Sequence, residues 1–196
     1  MKRFLFLLAV LAVSVSGIQA QQTTKEKEKA AKKAEKEVKK EEKKAAQALE
    51  NKITFQQAVQ AINHQSFVVE VNTIQPRSGR LFFVTPNTNF VSLNNGQATV
   101  QIANGSSVNP GPNGLGGITV QGLASGVKIT EDEKGNVYLN MMVQGVFISA
   151  SVSIQLMKDS NNATVTVDPN FSGNNLTLSG QLFPASMSNV FQGSTI

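Results

Sequence analysis

Six apolar residues recur at every second position between Val146 and Leu156 (Val146, Ile148, Ala150, Val152, Ile154 and Leu156), while Ser149, Ser151, Ser153 and Gln155 take the other face. A period of two places alternate side chains on opposite faces of an extended chain, whereas a helix repeats its apolar stripe at three and four. Read as one run of about a dozen residues, the segment predicts a long curved strand. The same alternation holds for Phe67, Val69 and Val71, and for Ala98, Val100 and Ile102. Further strands are expected at about 81–85, 89–94, 118–122, 126–131, 136–144, 162–167 and 175–182.

The connections carry hairpin chemistry. Asn94-Asn95-Gly96, Glu133-Lys134-Gly135-Asn136, Asp159-Ser160-Asn161-Asn162 and Ser172-Gly173-Asn174-Asn175 supply residues that tolerate a positive φ. Consecutive strands are therefore antiparallel, and no helical crossover separates them. The expected fold is all-β: an antiparallel meander closed as a lipocalin-like barrel or folded as a sandwich. Gly145 interrupts the apolar pattern where a bulge or corner would let the sheet bend.

The chain opens differently. Met1-Lys2-Arg3 is a short basic start, Phe4 to Val15 is uncharged and apolar, and Ser16-Gly17-Ile18-Gln19-Ala20 ends on a small residue. This is the pattern of a cleavable signal peptide over 1–20, with Gln21 as the first mature residue. The apolar run is shorter than the roughly 20 residues of a membrane-spanning helix. With no cysteine to carry a lipid, a periplasmic or extracellular, soluble, unanchored protein is expected.

Residues 21–52 form a charged low-complexity spacer. Ten lysines and six glutamates lie between Lys25 and Lys44, and Val38 is the one side chain larger than alanine between 25 and 48 that could pack. The composition favours a solvated helix that frays, with i,i+4 support from Glu28–Lys32 and Glu35–Lys39. Its lysines allow a weak peripheral attraction to anionic envelope surfaces. A second helix start is read at Thr54-Phe55-Gln56-Gln57, a capping-box pattern, with Phe55, Ala58, Val59 and Ile62 on one face of a short packed helix over 55–63.

Residues 53–196 then make one β domain of 144 residues, large enough to hold itself together by burial without disulfides. The net charge of +5 does not belong to this domain, which has five basic residues (Arg77, Arg80, Lys128, Lys134 and Lys158) against six acids. No basic face is available to read phosphates, so nucleic acid is not expected as a partner.

Little in the domain resembles catalytic machinery. Of the six acids, Glu70 alone lies mid-strand, and it has no acidic partner in the pattern. His64, the single histidine, has neither a second histidine nor a cysteine with which to hold a metal. No Gly-x-Ser-x-Gly elbow supports a serine triad. Catalytic, metal and cofactor-binding residues are accordingly expected to be none, and the protein is expected not to be an enzyme.

The most unusual stretch is Asn109-Pro110-Gly111-Pro112-Asn113-Gly114-Leu115-Gly116-Gly117. A phosphate-binding P-loop would continue into Lys-Ser/Thr and a helix, but Ile118-Thr119-Val120-Gln121 reads as a strand. A rigid exposed loop remains, whose free backbone amides are candidates for a ligand or partner contact.

Four segments together carry a family resemblance: Gln65-Ser66-Phe67-Val68-Val69-Glu70, Thr88-Asn89-Phe90-Val91-Ser92, the glycine loop continued from Gly111 through Ile118-Thr119-Val120-Gln121-Gly122, and Pro169-Asn170-Phe171-Ser172-Gly173-Asn174. Over about Phe55 to Gly193 the chain resembles the exported Bacteroidota family known as domain of unknown function 4251. The resemblance implies a bacterial envelope protein with a lysine-rich mature N-terminus, and it brings no activity or catalytic residue with it. Two functional readings stand. One is a non-catalytic domain that binds an envelope partner or ligand, with Asn109 to Gly117 as the contact loop; the other is a lipocalin-like carrier of a small apolar molecule.

Overall fold

The computed structural model describes residues 2–105, 108–170, 173 and 175–195, with side chains from residue 32 onward. The chain divides into two compact units, Met1–Leu49 and Glu50–Ile196.

Helix α1 spans Lys2–Asn63. Within the first unit the described side chains from Lys32 to Leu49 are exposed, and Lys39 Nζ meets Glu35 Oε1 at 2.6 Å. The separate short helix expected over 55–63 is instead the end of α1. Thr54 sits inside the helix, where its hydroxyl donates to the Asn51 carbonyl at 2.9 Å, so it does not cap a new start. A hydroxyl can bond back to the preceding turn as readily as it caps, and the sequence pattern does not distinguish the two. The helix ends in a Schellman arrangement: Ser66 N donates to Ala61 O, Gln65 N donates to Ile62 O, and Gln65 takes φ 51°.

Among the described residues nine strands follow: β1 (Phe67–Pro76), β2 (Phe82–Phe83), β3 (Phe90–Asn94), β4 (Gln97–Ala103), β5 (Gly117–Glu131), β6 (Val137–Gln144), β7 (Ser149–Leu156), β8 (Asn162–Pro169) and β9 (Leu176–Pro184). Every pairing is antiparallel. From β3 to β9 each strand pairs with the next, and β1 pairs with both β3 and β9, from Phe67↔Pro184 to Pro76↔Leu176. This closes an eight-stranded up-and-down barrel and decides for barrel over sandwich; β2 is an extra two-residue strand laid on β1.

The strand pattern departs from expectation in two places. The segments expected at 118–122 and 126–131 form the single strand β5, which runs through a bulge between Ser125 and Lys128 with Gly126 at φ +61°. Conversely, the alternating run from Val146 does not start a twelve-residue strand, because β7 begins at Ser149. Gly145 N donates to Ile148 O at 2.7 Å, closing a turn in which Val146 and Phe147 stand exposed. Of the four expected turns, Asn95 and Gly96 both take positive φ, as do Gly135 and Asp159 in theirs. Ser172 and Asn174 of the fourth lie outside the described residues.

Alternation fills the barrel. Ala150, Val152, Ile154 and Leu156 of β7 are buried, as are Ala163, Val165 and Val167 of β8. Ala58, Ala61 and Ile62 of α1 join the same cluster with Phe67 and Leu182, so the last turns of the helix cover the end where β1 begins and β9 finishes. At the opposite end no α-helix packs on the barrel among the described residues, and the β1–β3, β4–β5, β6–β7 and β8–β9 connections gather there.

Candidate functional site

The glycine loop between β4 and β5 is built around Asn113, which is 2% exposed. Its Nδ2 donates to the Ile102 carbonyl (3.2 Å) and to Thr119 Oγ1 (3.3 Å), and its Oδ1 accepts from the amides of Leu115 (2.9 Å) and Gly117 (3.0 Å). All four bonds an asparagine side chain can make are made. The Asn113 amide donates to Gly117 O, Gly114 N donates to Gly111 O, and Gly116 N donates to Pro110 O. The free amides expected of this loop are therefore corrected: from Asn113 to Gly117 they are occupied in holding its own shape. Asn109, Pro110, Gly111 and Pro112 stand exposed, and Gly116 reaches the barrel opening.

A C-terminal tail braces this loop from outside. Beyond β9 and the short 3-10 turn Ala185–Met187, Ser188 Oγ donates to Glu70 Oε1 (2.8 Å), Phe191 N to Asn87 O (2.7 Å), Gly193 N to Gln101 Oε1 (2.8 Å) and Ser194 N to Asn113 O (3.1 Å). Gln101 is central. Its Nε2 donates to Thr88 O and Phe191 O, and its Oε1 also accepts from Thr119 Oγ1 at 2.7 Å. By alternation Gln101 and Thr119 belong to the outer face, yet both are buried. The sequence reading missed them because nothing in strand periodicity shows that a distant segment will cover that face.

The open end holds two cavities. The larger, about 660 Å³, lies between β1, the β2 segment, the end of β4 and the start of β9, lined by Ile74, Phe82, Phe83, Val84, Ile102 and Leu176 among others. The second, about 370 Å³, is lined by Val100, Ile118, Val120, Phe147, Ile148 and Val167, and shares Ile102 and Leu176 with the first. Both fall within the size of small-molecule sites, and an eight-stranded barrel is wide enough either to fill with side chains or to hold one small ligand. This barrel does both: it is filled at the helix-covered end and hollow at the other. Thr85 and Asn104 are among the few polar groups at the larger cavity.

Among the described residues no titratable side chain lines either cavity. Asp132 organises the β5–β6 turn, accepting from the amides of Lys134 and Asn136, from Asn136 Nδ2 and from Tyr138 Oη. The Asn136 bonds chiefly hold its carboxyl below the usual aspartate range, and the Asp132 bond pushes the Tyr138 phenol up. Glu70 serves the tail. His64 follows the end of α1 beside Gln57 and Met187, at the closed end of the barrel. Among the described residues no three His, Cys, Asp or Glu gather as a metal cluster, and no helix is long and apolar enough to cross a membrane.

The family model described as "Domain of unknown function (DUF4251)" matches residues 48–182. The chain belongs to the DUF4251 family. A solved DUF4251 family protein from Bacteroides eggerthii DSM 20697 is 45% identical, with a TM-score of 0.62 over 74% of this chain and 96% of that one. The Bacteroidota kinship implied by the glycine-loop segments thus holds. No curated protein matches. The DUF4251 model ends at residue 182, so the tail that braces the loop lies beyond the matched segment.

Proposed function

We propose that this DUF4251 protein is an exported, non-catalytic barrel that binds one small apolar molecule in the open end, with the Asn109–Gly117 loop as part of its rim. The observation that carries this reading is the pair of adjoining apolar cavities meeting at Ile102 and Leu176. Burial of apolar area gives about 25 cal/mol per Å², so a hollow lined by aliphatic and aromatic carbon favours a hydrocarbon chain over a polar metabolite. Among the described residues that line it, none is titratable, so no pair of such groups faces across a reacting bond. Export follows from the signal-peptide pattern of residues 1–20, which delivers a barrel without cysteine to an oxidising compartment.

The test is titration of the purified chain with a fluorescent polyene fatty acid, alongside native mass spectrometry. Saturable binding of one molecule per chain, displaced by a non-fluorescent fatty acid, is expected. Failure of the folded protein to bind saturably, with no co-purified molecule, would overturn the reading.

A further inference from the structure

The open end also carries a distinctive outer surface. Among the described residues, three of the connections gathered there present large apolar side chains to solvent: Leu81 and Phe83 between β1 and β3, Val108 between β4 and β5, and Val146 and Phe147 between β6 and β7. Val108 is 94% exposed, Val146 89% and Phe83 83%. Burying none of them within the fold forgoes the stabilisation that interior positions receive, and apolar exposure gathered at one end marks a contact surface.

Charge says which kind. Arg77 and Arg80 flank the apolar tips on the β1–β3 connection, both exposed, with the Arg80 guanidinium 5.1 Å from the centre of the Phe82 ring. Arg77 Nη1 donates to Gly173 O at 3.0 Å, which carries its cation across to the β8–β9 connection. Asp168, near the end of β8, is the one acid at this end among the described residues, whereas Asp132, Glu133 and Asp159 lie in the turns at the other. Single apolar tips rising from separate loops around an opening, with arginines beside them, match an interfacial layer, where hydrocarbon lies below and anionic phosphate above. A flat continuous apolar face, as a protein partner requires at the centre of its interface, is not what these separate tips make.

The geometry points to the open end of the barrel as a membrane-docking surface for anionic lipid, with Leu81, Phe83, Val108, Val146 and Phe147 entering the acyl layer and Arg77 and Arg80 meeting headgroup phosphates. In that orientation the cavities open toward the bilayer and the helix-covered end faces away from it. The docking inference rests on the rim alone and does not need the cavities to be occupied.

The chain contains no tryptophan, so a single introduced one reports only its own position. Val146→Trp and Val108→Trp, neither of which lines a cavity, are compared in the full chain with Met157→Trp, an exposed position at the opposite end. With mixed phosphatidylglycerol and phosphatidylcholine vesicles, both rim tryptophans shift to the blue and are quenched by brominated acyl chains, while Met157→Trp is unchanged. Arg77→Gln with Arg80→Gln weakens the rim signal about tenfold or more, and pure phosphatidylcholine gives little of it. If the chain sediments with vesicles but both rim tryptophans stay unshifted, the lysine-rich tract does the binding and the docking surface is refuted. Equal shifts at Met157→Trp would refute it as well, and rim tryptophans silent with every vesicle would leave the tips to a protein contact. Because the reporters lie outside the cavities, loss of fatty-acid binding and loss of docking are read separately.

Discussion

At the residue scale, the fold depends on a few polar side chains with every bond made. Asn113→Ala removes the two donors to Ile102 and Thr119 and leaves the Leu115 and Gly117 amides without their acceptor. Leaving such buried groups unpaired should cost about 2–4 kcal/mol, read as a lower urea midpoint with an unchanged slope. Asp132 gives a pH signature of definite sign. Its folded pKa is depressed below 3.8, so its contribution is fully present above that value and is lost as pH falls through the folded pKa. The difference in thermal midpoint between the wild type and Asp132→Asn should therefore be constant at neutral pH and shrink on acidification below about pH 4. That Asp132 lies off the strands was legible in the sequence, where Glu70 alone of the six acids falls mid-strand and the turn Glu133–Asn136 follows directly. The roles of Asn113 and Gln101 were not, since each depends on a partner that the local pattern does not contain.

At the scale of elements, closure rests on backbones that approach too closely for a side chain. A Cβ built on Gly180 would lie 1.9 Å from Glu70 O, beside the irregularity between Val71 and Thr73 where β1 and β9 pair. Gly180→Val is expected to destabilise by about 3 kcal/mol, seen in thermal unfolding, and to raise hydrogen exchange first in β1 and β9. Alternation made β6, β7 and β8 readable because each buries one face against a common core. The same signal began too early after Gly145, since Val146 and Ile148 share the apolar parity of β7 although they lie in the turn before it, and it broke at Gly126, where a bulge consumes a residue without ending the strand. At Thr54 the local pattern was satisfied equally by a start and by an uninterrupted helix, and the chain takes the second.

At the scale of the whole molecule, barrel and hollow have different origins. Alternating strands and short turns announce the barrel, but whether its interior is filled depends on where large side chains meet, which one strand at a time does not disclose. Phe67, Leu139, Leu156 and Leu182 are all fully buried, whereas Ile102 and Leu176 face space. Ile102→Trp places a large ring where the two cavities meet. It should reduce fatty-acid affinity about tenfold or more with little change in thermal midpoint, because it fills a void and displaces no packed neighbour. The pairing of β1 with β9 has a consequence in time as well. Phe67 and Pro184 stand opposite each other although nearly the whole domain separates them in the chain. A ribosome or translocon delivering the polypeptide from its N-terminus must release almost all of it before the ring can shut. Until then β1 lacks one of its two neighbours and the half-built sheet exposes apolar carbon, so maturation of this protein should be limited by a late, non-local step and should lean on whatever shields nascent chains in its compartment.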